Sequence, residues 1–270
     1  MSGETALRER AVLLDELRQI VQSMKNLAFA ELQRVSHKRQ AQAQAREALQ
    51  KAQLCLPLLS ASRVVTSPIS CLVIGAERGF CGAFNTPLLT HMHNWSAQCL
   101  RVTWLVASHR VLLQLEGMEQ HVVALPGCAA SEEAEAVLDA WLLEVDNAVA
   151  RGEQVWLMHV GAQGVQKQCL WPSSVVVSPA GTPAVKTYLP AAVVHDALAR
   201  QSLRLTLQGA LYESLEQENH WRLAQMQRAQ DHLLELERVL RLSYTNLRQS
   251  NITNELETLA ISNLSETIIR

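Results

Sequence analysis

Glycine and proline are missing from both ends of this chain. All eight prolines lie between Pro57 and Pro190, and nine of the eleven glycines lie between Gly75 and Gly181. From Glu4 to Leu56 there is neither, and from Ala191 to Arg270 only Gly209 interrupts. Nothing in either flank breaks a helix, so both are predicted as helices several times longer than the average of about 11–12 residues. Such helices need a partner to take up their apolar stripes. Net charge is scarce as well: 24 Lys and Arg against 26 Asp and Glu leave −2 at neutral pH, which argues against a dedicated nucleic-acid binder with its strongly basic footprint. No run of about 18 apolar residues exists, and Met1 to Leu14 carries charges where a signal peptide needs an apolar core. The chain is therefore expected on the cytoplasmic side. The six cysteines are never spaced as metal-ligand pairs and read as reduced structural thiols. His91 and His93, two apart on a helix, face different directions, so no metal or other cofactor is expected.

What the flanks do contain is periodic. Leu7, Leu14, Val21, Ala28 and Val35 recur every seven residues, with Leu17 and Met24 between them and Leu13, Ile20 and Leu27 flanking. The C-terminal flank carries a matching stripe at Met226, Leu233, Leu240 and Leu247, with Ala229 and Leu236 interleaved and Ile252, Leu256 and Leu259 beyond. A sustained heptad favours a coiled coil, and each flank is the natural partner of the other. Leu14, Val21, Leu233 and Leu240 are expected at its antiparallel seam, with Gln230 facing solvent. Arg34, Lys38, Arg39, Arg46 and Lys51 face only Glu47 in their stretch; this reads first as a solvated face, with docking on an acidic partner as the alternative.

The middle alternates in type. Cys71–Gly75, Arg101–Ala107, His121–Leu125, Gln154–His159 and Ser174–Val177 read as strands, and Thr86–Gln98 and His109–Glu116 as helices. Ser131 is expected to cap a further helix that ends near Gly152. The fold class is therefore α/β: an N-terminal helix over 4–56, a Rossmann-like domain with a mostly parallel sheet over 68–190, and a C-terminal helix over 196–264. The glycine-rich turn Gly75-Ala-Glu-Arg-Gly-Phe-Cys-Gly-Ala-Phe-Asn85 follows a strand and opens a helix, as a phosphate loop does. Its spacing is neither the Rossmann nor the Walker pattern, and no Lys-Ser/Thr pair follows. A structural reversal is expected there, with Arg78 and Cys81 not catalytic, since a lone thiol without a base is weak evidence for a nucleophile.

Three segments resemble the gamma subunit of F-type ATP synthases. The C-terminal pattern Tyr-Asn-x-x-Arg-Gln-x-x-Ile-Thr-x-Glu-Leu is matched by Tyr244, Arg248, Gln249, Ile252, Thr253, Glu255 and Leu256. The family's Asp-Arg-Gly-Leu-Cys-Gly-x-x-Asn turn is similar to Glu77, Arg78, Gly79, Phe80, Cys81, Gly82 and Asn85, and Met24 stands where the family has a methionine. Glu31 replaces a common lysine, and the family's Ser-Glu-x-x-x-Arg-Met-x-Ala-Met stretch is reduced to Glu218, Arg222 and Met226. No match is found from Ser178 to Pro190. These departures fit a divergent bacterial branch.

The resemblance implies a non-catalytic rotary shaft that couples ion translocation to ATP synthesis or hydrolysis. Its paired terminal helices would stand inside a ring of alpha and beta subunits, and its other partners would be the epsilon subunit and the membrane c-ring. Met24, Arg248, Gln249, Thr253 and Glu255 are the residues it offers for ring contact, while Arg78, Gly79, Cys81 and Gly82 belong to the structural turn. It implies a peripheral place on the cytoplasmic face of the bacterial inner membrane, reached only through the complex. A coiled-coil adaptor and a nucleotide-binding enzyme remain the alternatives.

Overall fold

A computed structural model of the chain describes residues 2–55, 68–98, 101–115, 121–172 and 188–268. Its contacts divide into two units, one formed by Met1–Leu27 with Ala224–Arg270 and the other by Ala28–Leu223. The helices α1 (Ser2–Leu54) and α5 (Ala191–Ile268) contribute to both.

The unit Ala28–Leu223 is built on a five-stranded sheet in the order β3-β2-β1-β4-β5. Strands β1 (Ile69–Ile74), β2 (Val102–Ala107), β3 (His121–Ala124) and β4 (Gln154–Gly161) run parallel, and β5 (Gly164–Trp171) is antiparallel to β4. The apolar run Cys-Leu-Val-Ile in β1 is buried on both faces, as a central parallel strand requires. Successive side chains point to opposite faces, and so the strand feeds two cores. Cys71 and Val73 pack with Leu88, Met92 and Trp95 of α2 (Thr86–Gln98) and with Val111 of α3 (His109–Leu115). Leu72 and Ile74 pack with Leu138, Trp141 and Val145 of α4 (Ala134–Ala150) and with Leu207 and Leu211 of α5. The result is three layers, with α2 and α3 on one face of the sheet and α4, α5 and Val35 of α1 on the other.

Local expectations fare unevenly. Gly152, with φ 77, does end α4: the N–H of Gly152 bonds to Val149 O at 2.9 Å and that of Glu153 to Ala148 O at 3.1 Å. This pairing satisfies the last carbonyls of the helix and calls for a left-handed residue. Ser131 is not the cap. The residue before α4 is Glu133, and Ser131 is buried with its hydroxyl unpartnered. The N–H of Ser131 instead donates to Glu31 Oε1 of α1 at 2.6 Å, and its carbonyl accepts from Lys38 Nζ at 2.6 Å. The tertiary contact has overridden the local capping pattern.

Strand β5 is absent from the sequence reading because it is an edge strand whose centre, Gln166-Lys-Gln168, is polar, with apolar Val165, Cys169, Leu170 and Trp171 only towards its ends. Its Lys167 ammonium sits over the Trp95 ring, 2.9 Å from the centroid, and 4.7 Å from that of Trp156. Those cation–π contacts add to the packing of Val165 in holding the polar edge against α2. The strand expected at Ser174–Val177 and residue Glu116 lie outside the described residues.

The basic stretch of α1 is solvated in part, since Arg34, Arg46 and Lys51 are exposed, but most of its charges already have partners within the chain. Arg34 pairs with Glu132 at 2.7 Å, Lys38 with the Ser131 carbonyl, Arg39 with Glu216 of α5, and Lys51 with Glu47 at 2.7 Å. Apart from Lys51–Glu47, which lies within α1, these contacts fasten the helix to its own unit.

In the unit formed by Met1–Leu27 and Ala224–Arg270 the two helices are antiparallel. Lys25 Nζ donates to Gln227 at 2.6 Å and to Gln230 at 3.2 Å, Arg18 lies 3.8 Å from Glu237, and Tyr244 Oη bonds Glu4 at 3.2 Å. Partners climb one helix as they descend the other. Gln230 is thus half-buried and engaged, not solvent-facing. Leu17 and Leu236 are each 40% exposed, so the narrower stripe Leu7, Leu14, Val21 and Met24 faces Leu233, Glu237, Leu240 and Tyr244. The flanking residues Leu13, Ile20 and Leu27 are more than half exposed.

Candidate functional site

Sheets with this strand order bind ligands outside the carboxyl ends of their strands, at the point where the winding reverses. Here that point lies between β1 and β4, and α5 runs across both strand ends. Beyond β4, Glu213 accepts the Ala162 N–H at 3.2 Å and a Gln166 Nε2–H at 3.2 Å, and stands 3.4 Å from His159 Nε2. Beyond β1, Arg222 Nε donates to Gly79 O at 3.2 Å. The crevice that other doubly wound folds offer to a nucleotide is taken by the chain's own helix.

The turn between β1 and α2 is braced from within. Asn85 is buried, and its amide pairs with both backbone groups of Ala76, accepting from the N–H at 2.9 Å and donating to the carbonyl at 3.4 Å. The same carbonyl accepts the Ser108 hydroxyl at 2.7 Å, and Glu77 accepts the N–H of His109 at 2.8 Å. Gly82, with φ 60, supplies the left-handed reversal that glycine adopts freely. Cys81 is 5% exposed, and its thiol donates to Arg78 O at 3.5 Å. Burial, reinforced by the nearby Glu218 carboxylate, pushes that thiol above its usual range. A thiol so protected is a poor nucleophile.

Two charged residues missing from the expected sites complete this cluster. Glu218 and Arg222 are 2% and 6% exposed and pair with each other one turn apart on α5, while Arg222 Nη1 donates to Asn219 Oδ1 at 2.6 Å. The Glu77 N–H donates to Glu218, with Arg78 nearby. Burial outweighs these favourable partners and pushes the Glu218 carboxyl up to about 7. The Glu–Arg spacing was visible as a helical pair; its partner, the turn over a hundred residues earlier, was not.

A second cleft, of about 500 Å³, lies between α1, α5 and the β4–β5 edge and is lined by Arg39, Arg46, His159, Gln166, Gln168 and Glu213. Thr206, its one hydroxyl, is spent on Ser202 O at 2.8 Å. Burial holds the His159 ring below its ordinary protonation range despite Glu213. Among the described residues no cluster of three His, Cys, Asp or Glu could hold a metal, and no helix is long and apolar enough to cross a membrane. His91 is exposed and bonds back to Pro87 O at 2.8 Å.

The residues expected to meet a partner belong to neither cluster. Met24 is half-buried in the helix pair, whereas Arg248, Gln249, Thr253 and Glu255 are exposed near the end of α5. Thr253 donates back to Gln249 O at 3.0 Å. Leu14, Leu233 and Leu240 line a groove of about 590 Å³ between the helices, and Val21 is half-buried beside it in sequence.

A family model described as ATP synthase matches residues 4–260. The ATP synthase gamma chain of Amoebophilus asiaticus is 27% identical over 202 residues, covering 68% of this chain and 69% of the relative. Two structures of the Euglena gracilis mitochondrial ATP synthase contain chains of the same fold. One, of the rotor, has TM-score 0.65 at 14% identity, covering 93% of this chain and 99% of the other. The second, of the OSCP/F1/c-ring assembly, has TM-score 0.68 at 15% identity, covering 98% and 94%. The glycine-braced turn, the long helix pair and the C-terminal motif thus come with a match along nearly the whole chain, and the chain belongs to the ATP synthase gamma family.

Proposed function

We propose that the chain is the non-catalytic central shaft of a rotary ATP synthase, transmitting torque between ion translocation in the membrane c-ring and ATP chemistry in an alpha/beta ring. The observation that supports this most is the contrast between its motifs. The glycine-rich turn is consumed by internal contacts, whereas Arg248, Gln249, Thr253 and Glu255 leave their side chains exposed on a helix whose apolar stripe continues through Ile252, Leu256 and Leu259. A motif of exposed polar and charged side chains suits a surface that slides within, or bears on, a partner. Met24 and the four C-terminal residues are the proposed ring contacts, and Leu14, Val21, Leu233 and Leu240 the proposed seam. The three segments 4–56, 68–190 and 196–264 would act as two helical arms and a domain carried near the membrane, with epsilon and the c-ring as its neighbours there. The complex would be peripheral, on the cytoplasmic face of a bacterial inner membrane.

Purification from native membranes tests the assembly: alpha, beta and epsilon subunits and the c-ring should come down with the chain. Recovery of the chain alone, or with an unrelated coiled-coil partner, would favour an adaptor. Calorimetry tests the absence of chemistry. ATP should give no heat of binding with the isolated chain, and micromolar binding abolished by Arg78→Ala would replace the shaft with a nucleotide site.

A further inference from the structure

Glycine is out of place in the middle of α5. Gly209 is the one glycine among the 78 residues of that helix, and glycine in a helix interior is less favourable than alanine. Its site explains the exception. A Cβ at position 209 would lie 2.8 Å from Nε2 and 3.3 Å from Cδ of Gln42 on α1. The missing side chain is therefore a slot on α5, and the Gln42 amide fills it. From there Nε2 donates to Leu205 O at 2.6 Å, the carbonyl that the N–H of residue 209 also reaches in a regular α-helix. Both residues lie within the unit Ala28–Leu223.

The other contacts between α1 and α5 in this unit fix position less narrowly. Val35 joins the apolar core that Leu207 and Leu211 also line, and hydrophobic burial is non-directional. Arg39 pairs with Glu216 through two long side chains, and Arg39 is 39% exposed, so that pair can follow a small displacement. Gln42 is more confined: one glycine gives one slot, and the neighbouring Leu205, Thr206 and Ala210 all carry side chains. A single polar contact of this kind is a device that sets register between packed helices. We propose that Gln42 and Gly209 form an interlock that stops α1 slipping along α5 when the shaft is twisted, since twisting two packed helices shears the contact between them. The interlock rests on the shaft reading for its role, though not for its geometry. The adjoining cleft of about 500 Å³ is lined by both residues and gives the amide room to withdraw, so the fold survives loss of the contact.

Two measurements test it, one on the full chain and one on the complex. Denaturant titration of Gly209→Ala, Gln42→Ala and the double variant shows whether amide and slot act together. Gly209→Ala should be more favourable in the Gln42→Ala background, where the slot is empty, than in the unmodified chain, where it displaces the amide. One neutral hydrogen bond makes that difference about two- to twelve-fold in the unfolding constant. Equal effects of Gly209→Ala in the two backgrounds would overturn the interlock whatever the chain does. In reconstituted complexes of equal subunit content, ion transport per ATP hydrolysed is then followed as the opposing ion gradient is raised. Gln42→Ala should keep its hydrolysis rate, while the share of ATP hydrolysed without transport rises with the gradient to about two- to twelve-fold above the unmodified complex. A purely structural part would lower hydrolysis and transport together. That result, or an unchanged ratio at every gradient, would overturn the interlock. Failure of the unmodified chain to enter an ATP-hydrolysing complex would instead overturn the shaft reading and the torque role with it, while the titrations would still decide whether amide and slot are coupled.

Discussion

The two units of this chain use the same kind of residue to different ends. Between Ala28 and Leu223 the side chains under the sheet are finished, since Trp104, Trp141, Leu72 and Leu138 have no exposure at all, while exposed ones such as Phe29 and Leu143 lie outside that core. In the pair of helix segments outside that range, Leu13, Ile20, Leu27, Leu242 and Leu256 are more than half exposed. One unit encloses a packed core around its sheet, and the other has no such core and leaves much of its apolar stripe in solvent. At about 1.5–3 kcal/mol for each fully buried side chain, the exposed row represents unused burial that assembly can recover. Stability should therefore reside in one unit and assembly in the other.

Trp141→Ala should produce the largest loss. The ring is fully buried under the sheet and its Nε1–H donates to Pro126 O at 2.9 Å. Truncation leaves a cavity and an orphaned carbonyl, at a cost of about 3–5 kcal/mol. Denaturant titration of the isolated chain measures it. Leu256→Ala, at 62% exposure, should change the same curve by no more than about 0.5 kcal/mol. Similar losses at both positions would erase the contrast between the units.

Leu240→Asp probes the boundary between those extremes. Leu240 is half-buried in the groove it shares with Leu14 and Leu233, so an aspartate there loses part of its hydration and all of the apolar contact. A loss of about 1–3 kcal/mol is expected. Arg228→Asp, on the exposed side of the same helix, is the matched control. Differential scanning calorimetry that resolves separate transitions should show the Leu240→Asp shift in only one of them. An equal, small shift at both positions would dismiss the heptad pairing.

What the sequence disclosed follows the same division. Long helices and the central strands were legible because their signals are local: the absence of breakers, the seven-residue stripe and the apolar runs at Cys71 and Gln154. The antiparallel edge strand β5 was not, since Lys167 and its glutamines give no alternation and its hold on Trp95 is a contact across the fold. Ser131 shows the reverse error, a sound local signal defeated by Glu31 reaching in from α1. Gln230 shows the limit of heptad bookkeeping. A straight helix drifts against a strict seven-residue repeat, so Gln230 is half-buried beside Ala229, and Glu237 is half-buried where Leu236 was expected. At the turn the motif itself was readable, but not that Glu218 and Arg222 close it.

Acidification offers a smaller effect that belongs to the finished unit alone. His159 is 4% exposed, and burial, aided by the neighbouring Arg39, lowers its protonation below the ordinary 6.5 despite Glu213. Below pH 6.5 the unfolded chain takes up a proton that the folded chain refuses, so this group's contribution to stability is lost as pH falls through that value. The slope cannot exceed about 1.4 kcal/mol per pH unit. Glu218 has the opposite sign: its raised value makes stability decline as pH rises from about 4.5 to about 7. His159→Gln should flatten the acid side only. Melting temperatures from pH 5 to 8 for the two chains would show it, and an unchanged acid slope would mean that other groups carry it.

The least effect on folding, and the most informative on function, is expected at Arg248. Its guanidinium is exposed on α5 with no hydrogen bond or ion pair among the described residues, beside a motif that the apolar stripe no longer explains. Arg248→Ala should leave the melting curve of the isolated chain unchanged within about 0.5 kcal/mol. In the assembled complex the same change should remove a charge-assisted hydrogen bond worth about 1.5–3 kcal/mol. ATP turnover and ATP-driven ion pumping by reconstituted complexes of equal subunit content should both shift. Arg238→Ala is the control, because Arg238 is 80% exposed, lies 3.7 Å from Glu235 and stands outside the motif. Wild-type rates from both variants would make Arg248 an ordinary solvated residue. A folding defect in the isolated Arg248→Ala chain would move its role from the ring into the helix pair, and the division of labour between the two units would have to be redrawn there.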